Sequence, residues 1–226
     1  MTRLLLLTLF LGACAPGIDN PGRVEIVIPV SDVSYHPFDT VGLERVYLEA
    51  NARLDKPPLR ETVEGERVVN GELLQTVRFY GRGDERISLY AHAEGFLELH
   101  RQDSRGLIDT ITTYSPPVKY LPDVLEVGRA WGGEATERWY QQRRGEVTAL
   151  GDIELNYDFT VVGKRTYEID DQQDPKRFET YVISARELRN DQGALSKKNY
   201  EFWYTPFVGV VRTRDGKFLV DRNFGE

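Results

Sequence analysis

The chain has 226 residues, with 29 Lys and Arg against 36 Asp and Glu and a formal net charge of −7. An acidic body with no basic stripe excludes nucleic acid as a partner, and it excludes docking on anionic headgroups by charge. The single Cys excludes a structural disulfide and a Cys-based metal site, so stability has to come from a packed core.

Residues 1–3, MTR, give a short positive start, residues 4–11 an apolar run, and Gly12 and Ala13 two small residues. This is the three-part pattern of an export signal, and the run is far shorter than the ~20 residues of a bilayer-spanning helix. Leu11-Gly12-Ala13-Cys14 resembles the lipobox of bacterial lipoproteins. The resemblance implies removal of residues 1–13, a diacylglycerol thioether on Cys14 and acylation of the new amino group, a multi-chain anchor that holds stably where one chain does not. Ala15 stands where, in that family, an Asp favours inner-membrane retention, so the resemblance implies a lipid-anchored protein of the cell envelope at the outer membrane. Cleavage would remove Arg3 and leave 28 Lys and Arg against 36 acids, a net charge of −8. Residues 14–22 read as a flexible tether, whose Pro and Gly carry no periodicity. Fully extended, residues 15–22 reach no more than ~30 Å, which keeps the body close to the membrane.

Residues 23–226 read as one β-rich domain. Strand signals fall at residues 24–30, 75–80, 87–92, 96–100, 108–114, 130–141, 178–186, 200–204 and 208–213. Residues 43–54, LERVYLEANARL, suit either a helix or a strand, and a strand over 43–49 is preferred. The clearest alternation is residues 153–161, where Ile153, Leu155, Tyr157, Phe159 and Val161 share one face and Glu154, Asn156, Asp158 and Thr160 the other. Asn70-Gly71 and Asp215-Gly216 predict hairpins with type I′ turns, which need positive φ at both central residues. Short, regular spacing predicts an all-β fold, a curved antiparallel sheet or incomplete barrel with little helix.

The segments YLPDVLEVGRAW, NYDFTVVGKRTYEI, RFETYVISA and EFWYTPFVGVVRT, within residues 120–213, resemble a group of uncharacterised bacterial envelope proteins that are distantly like the Lol-type lipoprotein carriers. The resemblance implies a sheet wrapped around an apolar concavity and a greasy ligand, and its motifs are structural rather than catalytic. Gly128 is expected to turn the chain before Trp131, and Pro206 with Gly209 to break or kink an edge strand. Phe202-Trp203-Tyr204 shifts one aromatic relative to the group's pattern, leaving open which rings face the concavity.

No nucleophile elbow, zinc-protease helix, phosphate loop or dinucleotide fingerprint is present, so no catalytic residue set, cofactor site or metal site is expected. His36, His92 and His100 read as ordinary surface or half-buried residues. His92 and His100 fall too far apart along a hairpin to share a zinc. Asp170, Asp171 and Asp174 read as a solvated turn, lacking the spacing of a calcium hand. The aromatics Trp131, Trp139, Tyr157, Phe159, Phe202 and Trp203, with Tyr200, either fill a core or line a ligand groove. Three functions stay open: a non-enzymatic envelope lipoprotein binding a lipid or other apolar ligand on the concave face, an assembly factor contacting another envelope protein through an edge strand, and, third, a hydrolase.

Overall fold

The computed structural model describes residues 33–50, 57–81, 83–169 and 176–224. Cys14, the tether, the strand expected at 24–30 and the Asp170, Asp171 and Asp174 turn lie outside these residues. The described residues form twelve strands: β1 (Glu44–Glu49), β2 (Leu59–Val69), β3 (Glu72–Gly81), β4 (Asp84–Ala93), β5 (Phe96–Arg105), β6 (Asp109–Pro122), β7 (Ala130–Arg143), β8 (Glu146–Ile169), β9 (Lys176–Asp191), β10 (Ala194–Thr205), β11 (Gly209–Arg212) and β12 (Lys217–Arg222).

Each strand pairs antiparallel with its neighbour in sequence, and β1 pairs with β12 through Arg45↔Arg222 to Glu49↔Lys217. The expected antiparallel sheet is present, and its two ends meet in a closed up-and-down barrel. Residues 44–49 are strand, as preferred over helix, because Val46 and Tyr47 are buried at the β1–β12 seam.

Turn chemistry sets the register. Asn70-Gly71 has φ of 52° and 87°, the pair of positive values that a type I′ turn demands. Glu94-Gly95, Arg144-Gly145 and Gln192-Gly193 repeat it with φ near 50° then 80–95°. Asp215-Gly216 makes a hairpin of another kind. Only Gly216 has positive φ, at 81°, and the Thr213 N–H bonds to Lys217 O at 2.8 Å across a three-residue loop. Pro206 lies in the β10–β11 turn of a closed barrel, so the expected kink of an edge strand is instead a hairpin connection. Gly128, with φ of 89°, does turn the chain before β7.

The period-2 pattern of β8 survives intact: Leu155, Tyr157, Phe159 and Val161 are buried inside, while Glu154, Asn156 and Asp158 face out. On β10, Phe202 and Tyr204 point in and Trp203 is half-buried on the outer face. The up-and-down order places the turns after β3, β5, β7, β9 and β11 on one rim. The other rim carries the turns after β2, β4, β6 and β10 and residues 33–43.

That second rim is closed by a buried cation. Arg45 is fully buried, and its guanidinium donates to Glu61 Oε1 at 2.6 Å, Val208 O at 2.6 Å and Pro37 O at 2.8 Å, between the rings of Phe38 and Phe224. One side chain thereby ties β1 to β2, to the β10–β11 turn and to the segment plugging the rim. Gly209 is forced here, since a Cβ would lie 2.7 Å from Arg45 Nε. Arg45→Ala leaves the Glu61 carboxylate without its counter-ion in the interior, a class of change that costs about 3–5 kcal/mol. Urea unfolding should show a loss of that order, whereas a change under about 1 kcal/mol would mean that the clasp contributes little.

Candidate functional site

The barrel interior holds a cavity of about 530 Å³. Its deep part is aromatic, because the inward rows of β4, β6, β8 and β10 converge there with Tyr90, Tyr120, Phe159 and Phe202. Tyr120 stacks on Phe202 with centroids 5.7 Å apart and planes at 7°, Tyr90 meets Tyr120 at 5.7 Å, and Phe159 meets Phe202 edge-on at 6.3 Å. Such pairs add about 0.5–1.5 kcal/mol each beyond burial, so they hold one another rather than collapse into the space. Burial pushes the Tyr90 phenol up to about 12 and raises that of Tyr120 further. Both rings stay neutral at physiological pH.

The wall toward the first rim is charged. Arg189 on β9 reaches over β8 to grip Glu137 on β7, Nε to Oε2 and Nη2 to Oε1, both at 2.9 Å. Its Nη1 donates to Glu187 at 2.6 Å, and the Tyr200 hydroxyl donates to the same carboxylate at 2.6 Å. Glu137 is only 1% exposed, and a carboxylate so placed is tolerable because the guanidinium fork satisfies both oxygens. Lys198 on β10, Arg86 on β4 and Arg214 in the β11–β12 turn line the same cavity. A shallower concavity at the first rim shares Arg86 and Arg214 with it and reaches Leu107 and Ile108. This rim is the mouth.

The wall has a seam. β6 pairs with β7 only as far as Ser115↔Thr136, since Pro116 and Pro117 offer no N–H to a neighbour. Opposite them lie Gly132 and Gly133, lining a second concavity with Tyr157 at its inner side. A Cβ at Gly132 would come within 2.3 Å of Tyr157 O, and one at Gly133 within 3.0 Å of Tyr157 Oη. The Tyr157 hydroxyl accepts a hydrogen bond from Lys119 N at 3.1 Å, and the Trp131 indole N–H donates to Lys119 O at 3.0 Å. Two aromatics replace the missing ladder.

Of the six aromatics singled out in the sequence, Trp139, Tyr157, Phe159 and Phe202 line the cavity. Trp131 stacks on Phe159 at 5.4 Å beside the seam. Trp203 lies outside the barrel between the Arg165 and Arg212 guanidinium groups, at 5.1 and 5.4 Å, near Tyr167 of β8. Tyr200 contributes through its hydroxyl. Sequence reasoning missed Glu137, Glu187, Arg189, Arg86, Lys198 and Arg214. For β9 a signal existed: Glu187 and Arg189 continue the inward row of Ile183 and Ala185, placing charge on a face that apolar residues define.

No family model matches the chain, and no curated protein does. Among solved structures, a "putative exported protein with YmcC-like fold" from Bacteroides fragilis is similar, with a TM-score of 0.47 and 12% identity, over 84% of this chain and 99% of that one.

Beneath the aromatic floor sits His36, expected at or near the surface but only 3% exposed. Residues 33–43 tuck under the barrel to close the second rim, which carries the imidazole inside. Its Nε2 lies 2.8 Å from Pro122 O, a pure acceptor, and its Nδ1 lies 2.7 Å from the Tyr204 hydroxyl. The neutral tautomer with the proton on Nε2 donates to Pro122 O, and the single proton of the Tyr204 hydroxyl is shared between His36 Nδ1 and Tyr35 O, 3.0 Å away, the latter already accepting from Phe207 N. The His92 ring stacks at 6.2 Å. His100 is elsewhere, paired with Glu72 at 3.1 Å. Burial, with a smaller contribution from His92, lowers the His36 pKa below its ordinary value. The unfolded chain therefore takes up a proton near pH 6.5 that the folded protein refuses, and stability falls as pH drops below about 6.5. Denaturation midpoints should decline between about pH 7.5 and 5.5 and the decline should flatten in His36→Gln; a wild-type midpoint that holds or rises across this window would contradict the assignment.

Proposed function

We propose that the protein is a non-enzymatic, lipid-anchored component of the cell envelope, held to the outer membrane through Cys14, whose barrel carries an apolar or amphipathic ligand inside. The observation that carries the reading is the cavity of about 530 Å³ with an aromatic interior. That volume falls within the range of small-molecule and lipid sites, about 300–1,000 Å³, which are mostly apolar with a few placed polar groups. The Lol-type resemblance of residues 120–213 and the lipobox at Cys14 point the same way. Tyr157, Phe159, Phe202 and Trp139 are the ring contacts for such a ligand, and Leu155 and Val118 the aliphatic ones.

A second reading has one observation in its favour. Residues 194–202 of β10 pair with β9 on one side only, because β11 joins β10 no earlier than Trp203. That stretch is an edge within the wall of the barrel. Lys197 and Lys198 stand on it, and edge lysines discourage strand addition, so the cavity remains the stronger basis.

A neutral apolar fluorophore, N-phenyl-1-naphthylamine, should brighten on binding wild-type protein. Leu155→Trp, and independently Val118→Phe, should weaken binding at least about tenfold by occupying the space, with near-ultraviolet circular dichroism reporting that the fold is kept. Wild-type protein that leaves the fluorophore dark, or filled variants that bind it as well as wild type, would remove the reading.

A further inference from the structure

The charged residues of the cavity do not balance. Its three carboxylates are held by two guanidinium groups, Glu61 by Arg45 and both Glu137 and Glu187 by Arg189, which leaves one negative charge in that group. Three cations of the same lining, Arg86, Lys198 and Arg214, form no ion pair among the described residues. The protein as a whole has a net charge of −7, so three cations without ion pairs gathered on one cavity, one half-buried and two exposed toward its mouth, run against the trend of its composition.

Their positions are graded. Arg86 is half-buried, with its guanidinium over the Phe79 ring at 4.9 Å and its Nε buried without a hydrogen-bond partner. An unpaired buried donor on a charged group is costly unless something accepts from it. Arg214 and Lys198 are exposed and sit further out. Burial and then the nearby Arg214 charge lower the pKa of both Arg86 and Lys198, against smaller opposing contributions from Glu61 and Glu187 respectively, so each feels Arg214 as a like charge. A bound anion relieves both the repulsion and the orphaned donor. The aromatic floor lies below in the same cavity.

Resting on the reading of the cavity as a ligand site, the geometry points to an anionic amphiphile as its ligand: an apolar body among Tyr120, Phe159 and Phe202, and a phosphate or carboxylate head held by Arg86, with Arg214 and Lys198 at the mouth. Arg86 is the residue that reads the head, because its planar fork suits such oxygens, while the two exposed cations draw the anion in and are screened by salt.

The test titrates the full-length protein directly with dodecyl phosphate, with dodecanol and with inorganic phosphate. Dodecyl phosphate should bind at least about tenfold more tightly than dodecanol, and inorganic phosphate should bind far more weakly than either. In Arg86→Gln/Arg214→Gln the ratio of the two amphiphile affinities should fall toward unity, and high salt should narrow it in wild type. Equal affinity for dodecyl phosphate and dodecanol would overturn the head-group assignment while leaving the apolar cavity in place. Inorganic phosphate binding as tightly as dodecyl phosphate would overturn it in favour of a free anion. Binding of none of the three would overturn it together with the cavity reading.

Discussion

Joining β1 to β12 commits the chain to a circumference of twelve strands, and that circumference decides what the inside can be. Eight strands leave an interior that side chains just fill or that holds one small ligand, and the bore grows with strand number. Here the inward rows of β4, β6, β8 and β10 carry the large rings Tyr90, Tyr120, Phe159 and Phe202, yet space remains between them. Closure also removes the two free edges that an open sheet of this length would expose. The same seam therefore joins the two ends of the sheet and encloses a hollow within it.

The two rims are built differently, and this gives the hollow a direction. At one rim residues 33–43 fold under the barrel, with Arg45, His36 and Tyr204 making hydrogen bonds that knit the plug to β2, to Pro122 and to the β10–β11 turn. Every one of these groups is buried and hydrogen-bonded, so opening this rim would break several buried hydrogen bonds together. At the other rim the wall is polar and includes the Glu137–Arg189–Glu187–Tyr200 network, which spans β7 to β10 above the aromatic floor. A ligand entering there meets charge first and rings afterwards. The β6–β7 seam, closed by Tyr157 and Trp131 rather than by a ladder, is a part of the wall whose integrity depends on side chains.

Much of the barrel was legible in the chain because β-strands declare themselves by alternation and turns by their Gly. The row from Ile153 to Val161 and the Asn70-Gly71 turn needed no tertiary knowledge. Three turns with Glu94, Arg144 and Gln192 ahead of Gly were harder, since those residues lack the local preference for positive φ that Asn has. The strand over residues 146–152 escaped notice for a related reason: it is exposed on both faces and shows no alternation. Closure was beyond reach, because the pairing of β1 with β12 joins segments about as far apart as the chain allows. The cavity's rings were within reach as inward members of alternating rows. Its cations were not, since Arg214 and Lys198 are exposed residues and Arg86 a half-buried one, gathered around one mouth only by the closure of the barrel.

The proposed function requires that the open, aromatic-floored interior receive an apolar chain from the charged rim. The most direct measurement is isotope-filtered nuclear Overhauser spectroscopy on the protein mixed with dodecanol. Cross-peaks from the ligand methylenes to the Leu155 and Val118 methyls and to the Phe202 ring are the result the account predicts. Cross-peaks confined to exposed methyls such as those of Leu107 and Leu195, or none at all, would contradict it.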